Sequence, residues 1–141
     1  MFSNLMIIPS YSCPASCSYC FASPRNAPVM NEEILRKTLD GVKSVIFEEK
    51  KRSINIIFHG GEPLTAGEAF FHKALPLISS YFHPLQVKIS LQTNLWLLTE
   101  ELCELFLKYG VSLGTSLDGP EKINDSQRGK GYFKKTMKGI E

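Results

Sequence analysis

The chain has 141 residues, which is enough for one domain with a hydrophobic core and too short for two. Its 16 basic and 14 acidic side chains give a formal net charge of +2, which argues against the basic surface that binds nucleic acid or an anionic membrane. Hydrophobic residues make up 43% of the chain and no apolar run reaches the roughly 18 residues that span a bilayer, which argues against a disordered or membrane-spanning protein.

Residues 5–8 form a continuous apolar run, which predicts a first, buried strand. A loop follows up to about residue 30, and its length predicts a functional role. Its turn residues are Pro24, Asn26 and Pro28. Asn31 predicts the N-cap of a first helix, because apolar residues recur at helical spacing after it. A second strand is predicted over residues 54–58.

Thr65 and Glu68 have the spacing of a capping box, which predicts the start of a second helix. Pro76 would kink or shorten this helix, since proline removes a backbone donor. The remaining predicted elements are a strand over residues 87–92, a helix capped by Thr99, a strand over residues 111–117 and the start of a helix over residues 133–140.

This alternation of strands and helices predicts an α/β fold with a parallel sheet. Right-handed crossovers would place the strands side by side, so that the loops after the strand C-termini line one rim, where ligands bind in such folds. The unusual segments all follow strands: the cysteine-containing loop, Gly60–Pro63, Gln92–Asn94 and Ser116–Gly119.

Three of the four cysteines are grouped as Cys13-x3-Cys17-x2-Cys20. Structural zinc sites and ordinary ferredoxin clusters use four protein ligands, whereas a [4Fe–4S] cluster held by three cysteines would leave one iron open to a small chelating molecule. Cys103 falls on the flank of the third helix and is predicted to be a buried core residue. The segment up to Ser10 lacks the basic region of a secretory signal, which predicts a cytoplasmic protein with reduced thiols.

These motifs together closely resemble those of the radical S-adenosylmethionine (SAM) superfamily. The cysteine spacing is accompanied by an aromatic residue before Cys20 and by Gly60-Gly61-Glu62-Pro63 after the second strand. Residues 116–120 and 124–128 resemble motifs of the peptide- and protein-modifying branch of this superfamily. That branch includes the anaerobic sulfatase-maturating enzymes, which carry a C-terminal SPASM or twitch domain.

The resemblance implies a partial (β/α)6 TIM-like barrel, truncated after about four β/α units. Residues 1–141 would be the N-terminal portion of a radical SAM core domain. The implied activity is that of an enzyme that binds one [4Fe–4S] cluster and SAM and generates a 5′-deoxyadenosyl radical for hydrogen abstraction. The implied partners are a peptide or protein substrate and, as electron donor, reduced flavodoxin or ferredoxin, without nucleic acid or membrane.

The resemblance also implies a role for individual residues. The implied cluster ligands are Cys13, Cys17 and Cys20. The implied SAM contacts are Tyr19, Phe21, Gly60, Gly61, Glu62, Pro63, Gln92, Asn94, Ser116 and Arg128. Arg128 would offer a bidentate fork to the SAM carboxylate with Ser116 beside it, and Glu62 would anchor a cation. The related motif often reads Gln-Thr-Asn-Gly, and Leu95 replaces its glycine here.

Two alternatives remain open at this point. The first is a non-catalytic iron–sulfur or zinc-binding module, and the second is a fragment that binds cluster and SAM but is catalytically incomplete. Single residues also have simpler interpretations. Arg128 is consistent with an arginine on an exposed loop. Ser116 and Asn94 are consistent with polar strand ends that cap backbone groups.

Overall fold

The structure is a computed structural model that describes residues 3–22 and 27–141. Four strands form one parallel sheet in sequential order, and a helix joins each strand to the next. The predicted α/β fold with a parallel sheet is therefore confirmed. The predicted turn residues Pro24 and Asn26 lie outside the described residues. Within the described ranges, no helix is long and apolar enough to cross a membrane.

The elements follow one another as the sequence predicts, with one helix more. The strands are β1 (Ser3–Ile7), β2 (Ser53–Phe58), β3 (Gln86–Gln92) and β4 (Val111–Gly114). The helices are α1 (Glu32–Glu48), α2 (Glu68–Phe82), α3 (Glu100–Lys108), α4 (Glu121–Arg128) and α5 (Tyr132–Ile140).

One face of the sheet is covered by helices and the other is open. In β2, Ile54, Ile56 and Phe58 are buried, and the residues between them are only half-buried. On the open face, the Asn55 side-chain N–H donates to the Asn4 side-chain oxygen at 2.9 Å. Met6 on β1 is 56% exposed, so the prediction of a fully buried first strand is wrong. Strands of a parallel sheet alternate in this way when helices cover one face alone.

Aromatic side chains form the centre of the core between the sheet and the helices. Phe71 of α2 is fully buried and packs edge-to-face against Phe58, Phe70 and Phe106, with ring centroids 5.5, 5.2 and 5.3 Å away. Edge-to-face pairs add to the free energy that burial of the ring area supplies. This cluster therefore joins β2, α2 and α3.

The predicted caps of α1 and α3 are confirmed. The side-chain oxygen of Asn31 accepts the backbone N–H of Ile34 at 2.9 Å. The hydroxyl of Thr99 accepts the backbone N–H of Leu102 at 3.2 Å. Both side chains satisfy a backbone donor that the first helical turn leaves unpaired.

The predicted capping box at the start of α2 is wrong. Thr65 lies in a 3-10 turn, Pro63–Ala66, and its hydroxyl donates to the Glu62 carbonyl oxygen at 2.7 Å. Gly67 follows with a φ of 81°, which separates this turn from α2. Pro76 lies inside α2, and the helix continues past it to Phe82, so the proline does not shorten the helix.

Two further predictions are corrected, and one helix is added. β4 ends at Gly114, before the predicted end at residue 117. Helix α4 was not predicted, because among its eight residues only Asn124 is buried and no apolar stripe marks it. Cys103 is half-buried on α3, because the buried side of that helix is formed by its neighbours Leu102, Leu105 and Phe106.

We expect Phe71→Ala to lower the free energy of unfolding by about 3–5 kcal/mol, because it leaves a cavity among three aromatic rings. Ile78→Val, at another fully buried position of α2, should cost about 0.5–1.5 kcal/mol. Leu107→Ala is the matched control, since Leu107 is 82% exposed, and it should change stability by less than about 0.5 kcal/mol. Urea denaturation measures all three; equal losses for Phe71→Ala and Leu107→Ala would contradict the assignment of the core.

Candidate functional site

The segments that follow the four strands enclose a cavity of about 450 Å³ at the C-terminal edge of the sheet. Every residue predicted from the sequence to bind the cluster or SAM lines this cavity except Pro63, which is buried at the start of the 3-10 turn. The cavity also contains residues that the sequence did not single out, among them Thr93 and Tyr132. The structure therefore brings together, at one place, groups that are far apart in the chain, from Cys13 to Tyr132.

The cysteine loop, residues 10–22, supplies three thiols to the cavity. Cys13 and Cys17 are half-buried and Cys20 is exposed, and none of the described cysteines forms a disulfide. Burial raises the pKa of the Cys13 and Cys17 thiols, and the neighbouring thiols raise it further. The charged forms of Cys13 and Cys17 are therefore disfavoured unless a positively charged centre binds them.

The donor set of the cavity, three thiols, is one that iron–sulfur clusters use. Within residues 3–22 and 27–141, no three His, Cys, Asp or Glu side chains are close enough together to hold one ion. Cysteine thiolates are the protein ligands of four-iron clusters, and Cys13, Cys17 and Cys20 all line this cavity. These three residues are the ones that would hold such a cluster.

The backbone of the cysteine loop packs directly against Gly60 and Gly61. The N–H of Gly61 donates to the Ser10 carbonyl oxygen at 3.2 Å, and the N–H of Glu62 donates to the Ser12 carbonyl oxygen at 2.8 Å. A Cβ on Gly60 would lie 2.6 Å from the Ser10 oxygen, and Gly60 has a φ of 132°. Both the space and the backbone conformation at this position therefore require glycine.

The other end of the loop is held by helix α4. The backbone N–H and the hydroxyl of Ser18 both donate to the carbonyl oxygen of Gln127, at 2.7 and 3.1 Å. Ser18 lies between Cys17 and Cys20, so these two hydrogen bonds fix the part of the loop that carries two of the thiols. The sequence does not predict this contact between Ser18 and Gln127, because a hydrogen bond to a backbone carbonyl leaves no pattern in the residue types.

Glu62 is a buried carboxylate with three protein donors. It is 1% exposed and accepts the Leu64 N–H at 3.0 Å, the Thr93 hydroxyl at 2.7 Å and the Asn94 N–H at 2.7 Å. Burial raises the pKa of its carboxyl, and the three hydrogen bonds act in the opposite direction. Glu62 thus fastens the loop after β3 to the end of β2.

Asn94 is held against the cysteine loop. Its side-chain oxygen accepts the Trp96 N–H at 3.0 Å, and its side-chain nitrogen lies 4.0 Å from the Cys13 sulfur. Leu95, which replaces the glycine of the related motif, has a φ of 68°. The backbone keeps the left-handed conformation that glycine favours, and Gly139 of α5 makes room for the leucine, because a Cβ on Gly139 would lie 2.6 Å from the Leu95 Cβ.

Arg128 is already paired within the protein. Its Nε and Nη2 donate to the two carboxylate oxygens of Asp118, each at 2.7 Å, and its Nη1 donates to the Tyr132 hydroxyl at 3.2 Å. The bidentate fork that the sequence predicted for a bound carboxylate is thus occupied by Asp118. Ser116 also has a protein partner, because its hydroxyl accepts the Gln92 side-chain N–H at 3.0 Å.

The aromatic residues of the cysteine loop differ in their surroundings. Tyr19 is 56% exposed, but its hydroxyl donates to Asp118 at 2.6 Å. Phe21 is 87% exposed at the open side of the cavity. His59, beside the glycine pair, accepts the Gly60 N–H on Nδ1 at 2.7 Å, so this ring makes a structural hydrogen bond.

Glu62 predicts a pH dependence of stability. The carboxyl of an unfolded chain titrates near 4.5, and burial raises the pKa of Glu62 in the folded chain. The stability that this group contributes is therefore present below about pH 4.5 and is lost as the pH rises through the raised value. We compare the free energy of unfolding of the wild type with that of Glu62→Gln. The wild-type value minus the variant value should fall as the pH increases from about 4 to about 7.

Thr93→Val sharpens this measurement. The variant removes the hydroxyl that stabilises the Glu62 carboxylate, so the pKa of Glu62 should rise further. In the Thr93→Val background, the stability difference between Glu62 and Gln at this position should therefore decrease more steeply with pH. Urea denaturation at several pH values measures both differences. A difference that does not vary with pH would show that Glu62 titrates alike in the folded and unfolded chain.

Comparison with known sequences identifies relatives along almost the whole chain. A profile of the Radical SAM superfamily matches residues 7–141. An uncharacterized protein of Methanothermobacter thermautotrophicus is 46% identical over 138 residues, which are 98% of this chain and 51% of that protein. A serine-type anaerobic sulfatase-maturating enzyme of Bacteroides thetaiotaomicron is 33% identical over 141 aligned residues, which are 91% of this chain and 33% of the enzyme. The chain thus spans about half or less of the length of these relatives.

Solved structures agree with this comparison. The structure of anSMEcpe with bound AdoMet and Cp18Cys peptide superposes with a TM-score of 0.83 at 29% identity, over 99% of this chain and 39% of that chain. Streptococcus suis SuiB has the same fold, with a TM-score of 0.59 at 21% identity. Since the family profile covers nearly all of the sequence and the four-stranded parallel sheet matches that of anSMEcpe, the chain belongs to the radical SAM superfamily.

Proposed function

We propose that this chain is the part of a radical SAM enzyme that binds one [4Fe–4S] cluster and SAM. The cluster ligands would be Cys13, Cys17 and Cys20, and residues 1–141 would form the N-terminal portion of the core domain. The observation that carries this proposal is the cavity at the sheet edge, which three thiols share with the Gly60-Gly61 pair. The bound AdoMet of anSMEcpe, a similar structure, supports it.

The residues of the chain would bind and orient, while the cofactors supply the reactive chemistry. Together the cluster and SAM would supply a 5′-deoxyadenosyl radical that abstracts a hydrogen atom from the substrate. Gly60 and Gly61 hold the cysteine loop in place and line the cavity, where they would lie close to the SAM amino group. Gln92, Asn94 and Ser116 line the same cavity and would surround the rest of SAM.

The substrate would be a peptide or a protein side chain. Two findings support this class: the serine-type anaerobic sulfatase-maturating enzyme among the relatives, and the Cp18Cys peptide bound to anSMEcpe. The electron donor would be reduced flavodoxin or ferredoxin, and the protein would act in the cytoplasm, where its thiols stay reduced. A SPASM or twitch domain would accompany the core domain in an enzyme of this branch.

A second candidate function is cluster and SAM binding without turnover. This chain aligns with 51% of one relative and 33% of another, and in this candidate it binds both cofactors but does not complete the reaction by itself. The two candidates share the same site and differ only in turnover, so one preparation tests both.

Cluster assembly tests the ligand set. After anaerobic reconstitution with iron and sulfide, Cys17→Ala should lose nearly all of the cluster absorbance and iron, because two thiolates do not retain a cluster of this kind. Cys103→Ala is the matched control, since Cys103 lies on α3 away from the cavity, and it should keep the cluster content of the wild type. An equal loss in both variants, with folding intact, would contradict the ligand assignment.

SAM binding and turnover test the rest of the proposal. Addition of SAM should change the electron paramagnetic resonance spectrum of the reduced cluster, and dithionite should then release 5′-deoxyadenosine. A changed spectrum without 5′-deoxyadenosine would favour the catalytically incomplete chain. Stoichiometric zinc without any response to SAM would contradict both candidates and favour a metal-binding module.

A further inference from the structure

Asp118 connects two parts of the site that the proposed function treats separately. It follows β4 and lies near the cavity, and its carboxylate accepts hydrogen bonds from two elements. One oxygen accepts the Nη2 of Arg128 at 2.7 Å. The other accepts the Nε of Arg128 at 2.7 Å and the hydroxyl of Tyr19 at 2.6 Å. Asp118 therefore accepts hydrogen bonds from both the cysteine loop and helix α4.

The guanidinium of Arg128 is held on several sides. Its side chain is 13% exposed, and it lies over the rings of Tyr19 and Tyr132 at 5.6 and 5.2 Å from their centroids. The Tyr132 hydroxyl accepts its Nη1 at 3.2 Å. Two aromatic rings beside the guanidinium and the bidentate pair with Asp118 together restrict its orientation.

This arrangement uses three of the five N–H groups of Arg128. Asp118 takes the Nε–H and one N–H of Nη2, and Tyr132 takes one N–H of Nη1. Among the described residues, one N–H on Nη1 and one on Nη2 find no acceptor. One N–H on each of two neighbouring nitrogens can donate to the two oxygens of a carboxylate, and Arg128 lines the cavity. The pairing with Asp118 therefore does not exhaust Arg128 as a carboxylate ligand.

We propose that Asp118 is a positioning residue that orients this second pair of N–H groups toward the carboxylate of SAM. Through Tyr19, it also links the orientation of Arg128 to the cysteine loop. The inference rests on the proposed function, because it needs SAM in the cavity. It differs from the direct role of Arg128, since Asp118 would act on SAM only through the arginine.

The charges of the network support this role. The hydrogen bonds from Arg128 lower the pKa of Asp118, so the carboxylate is ionised at neutral pH and the pair with Arg128 persists. The pair leaves no net charge before SAM binds. Tyr19 lies between Cys17 and Cys20, so a loop that is ordered around a cluster would also order Asp118 and, with it, Arg128.

The test measures SAM affinity in the chain reconstituted with its cluster, in the oxidised state where no turnover occurs. Isothermal titration gives the Kd, and iron and sulfide analysis gives the cluster content. Asp118→Asn keeps one oxygen acceptor and puts an amide N–H₂ against the arginine, so the Kd should rise about tenfold with unchanged cluster content. Tyr19→Phe keeps the ring and loses one hydrogen bond, so its Kd should rise about threefold.

Glu121→Gln is the matched control. Glu121 is also an acidic residue that binds a basic side chain across α4 and α5, because its carboxylate lies 3.3 Å from the Lys134 nitrogen. It contacts neither Arg128 nor Tyr19 in the described part of the chain. Its removal should leave the Kd for SAM unchanged.

A double-mutant cycle separates positioning from a general structural effect. Arg128→Lys keeps the charge and loses both forks, so SAM should bind more weakly. Asp118→Asn in that background should change the Kd by less than about twofold, because no fork remains to be oriented. An equally large effect of Asp118→Asn in both backgrounds would overturn the inference, since Asp118 would then act by another route.

The remaining outcomes separate this inference from the proposed function. A wild-type chain that forms the cluster but binds no SAM overturns both. A wild-type chain that binds SAM, with the same Kd in Asp118→Asn, overturns the inference alone. If Asp118→Asn does not fold, Tyr19→Phe carries the test, and a Kd equal to that of the wild type then overturns the inference.

Discussion

The site depends on the contact between the cysteine loop and the Gly60-Gly61 pair. Backbone lies against backbone there, with N–H groups of the β2 end bonded to carbonyl oxygens of the loop, and no side chain larger than glycine leaves room for it. The cysteine loop would have many conformations of similar free energy if it were unattached. The contact with Gly60 and Gly61 fixes one part of the loop, and the hydrogen bonds from Ser18 to helix α4 fix the part near Cys17 and Cys20.

Two carboxylates organise the rest of the rim under opposite electrostatic conditions. Glu62 is buried, and burial raises its pKa, yet three protein donors hold it and it joins β2 to the loop after β3. Asp118 is nearer the surface, and its pairing with Arg128 lowers its pKa. The first carboxylate costs free energy to keep charged and makes a rigid frame. The second keeps its charge readily, and this charge orients a cation beside the cavity.

The sequence predicts the fold from local patterns, and it predicts the residues of the site from the resemblance of its motifs to those of a known family. The parallel order of four strands follows from the alternation of elements, and the rim position of the cysteines follows from the strand before them. The pairing of Arg128 with Asp118 leaves no such pattern, since it depends on how α4 is placed after β4. The sequence does not predict helix α4 either, because this helix buries almost no apolar side chain and so has no helical pattern of hydrophobic residues.

Leu95 shows how a departure from a family motif is accommodated without changing the site. A leucine at a φ of 68° costs conformational free energy that a glycine would not, and its side chain needs space that the motif does not provide. Gly139 on α5 supplies that space, while Asn94 keeps its hydrogen bond to Trp96 and its place beside Cys13. The strain therefore stays in the backbone of one residue, and the hydrogen bond from Thr136 of α5 to the Asn94 carbonyl oxygen ties the same helix to this loop. Helix α5 is part of the site for this reason, although it contributes one side chain, that of Tyr132, to the cavity.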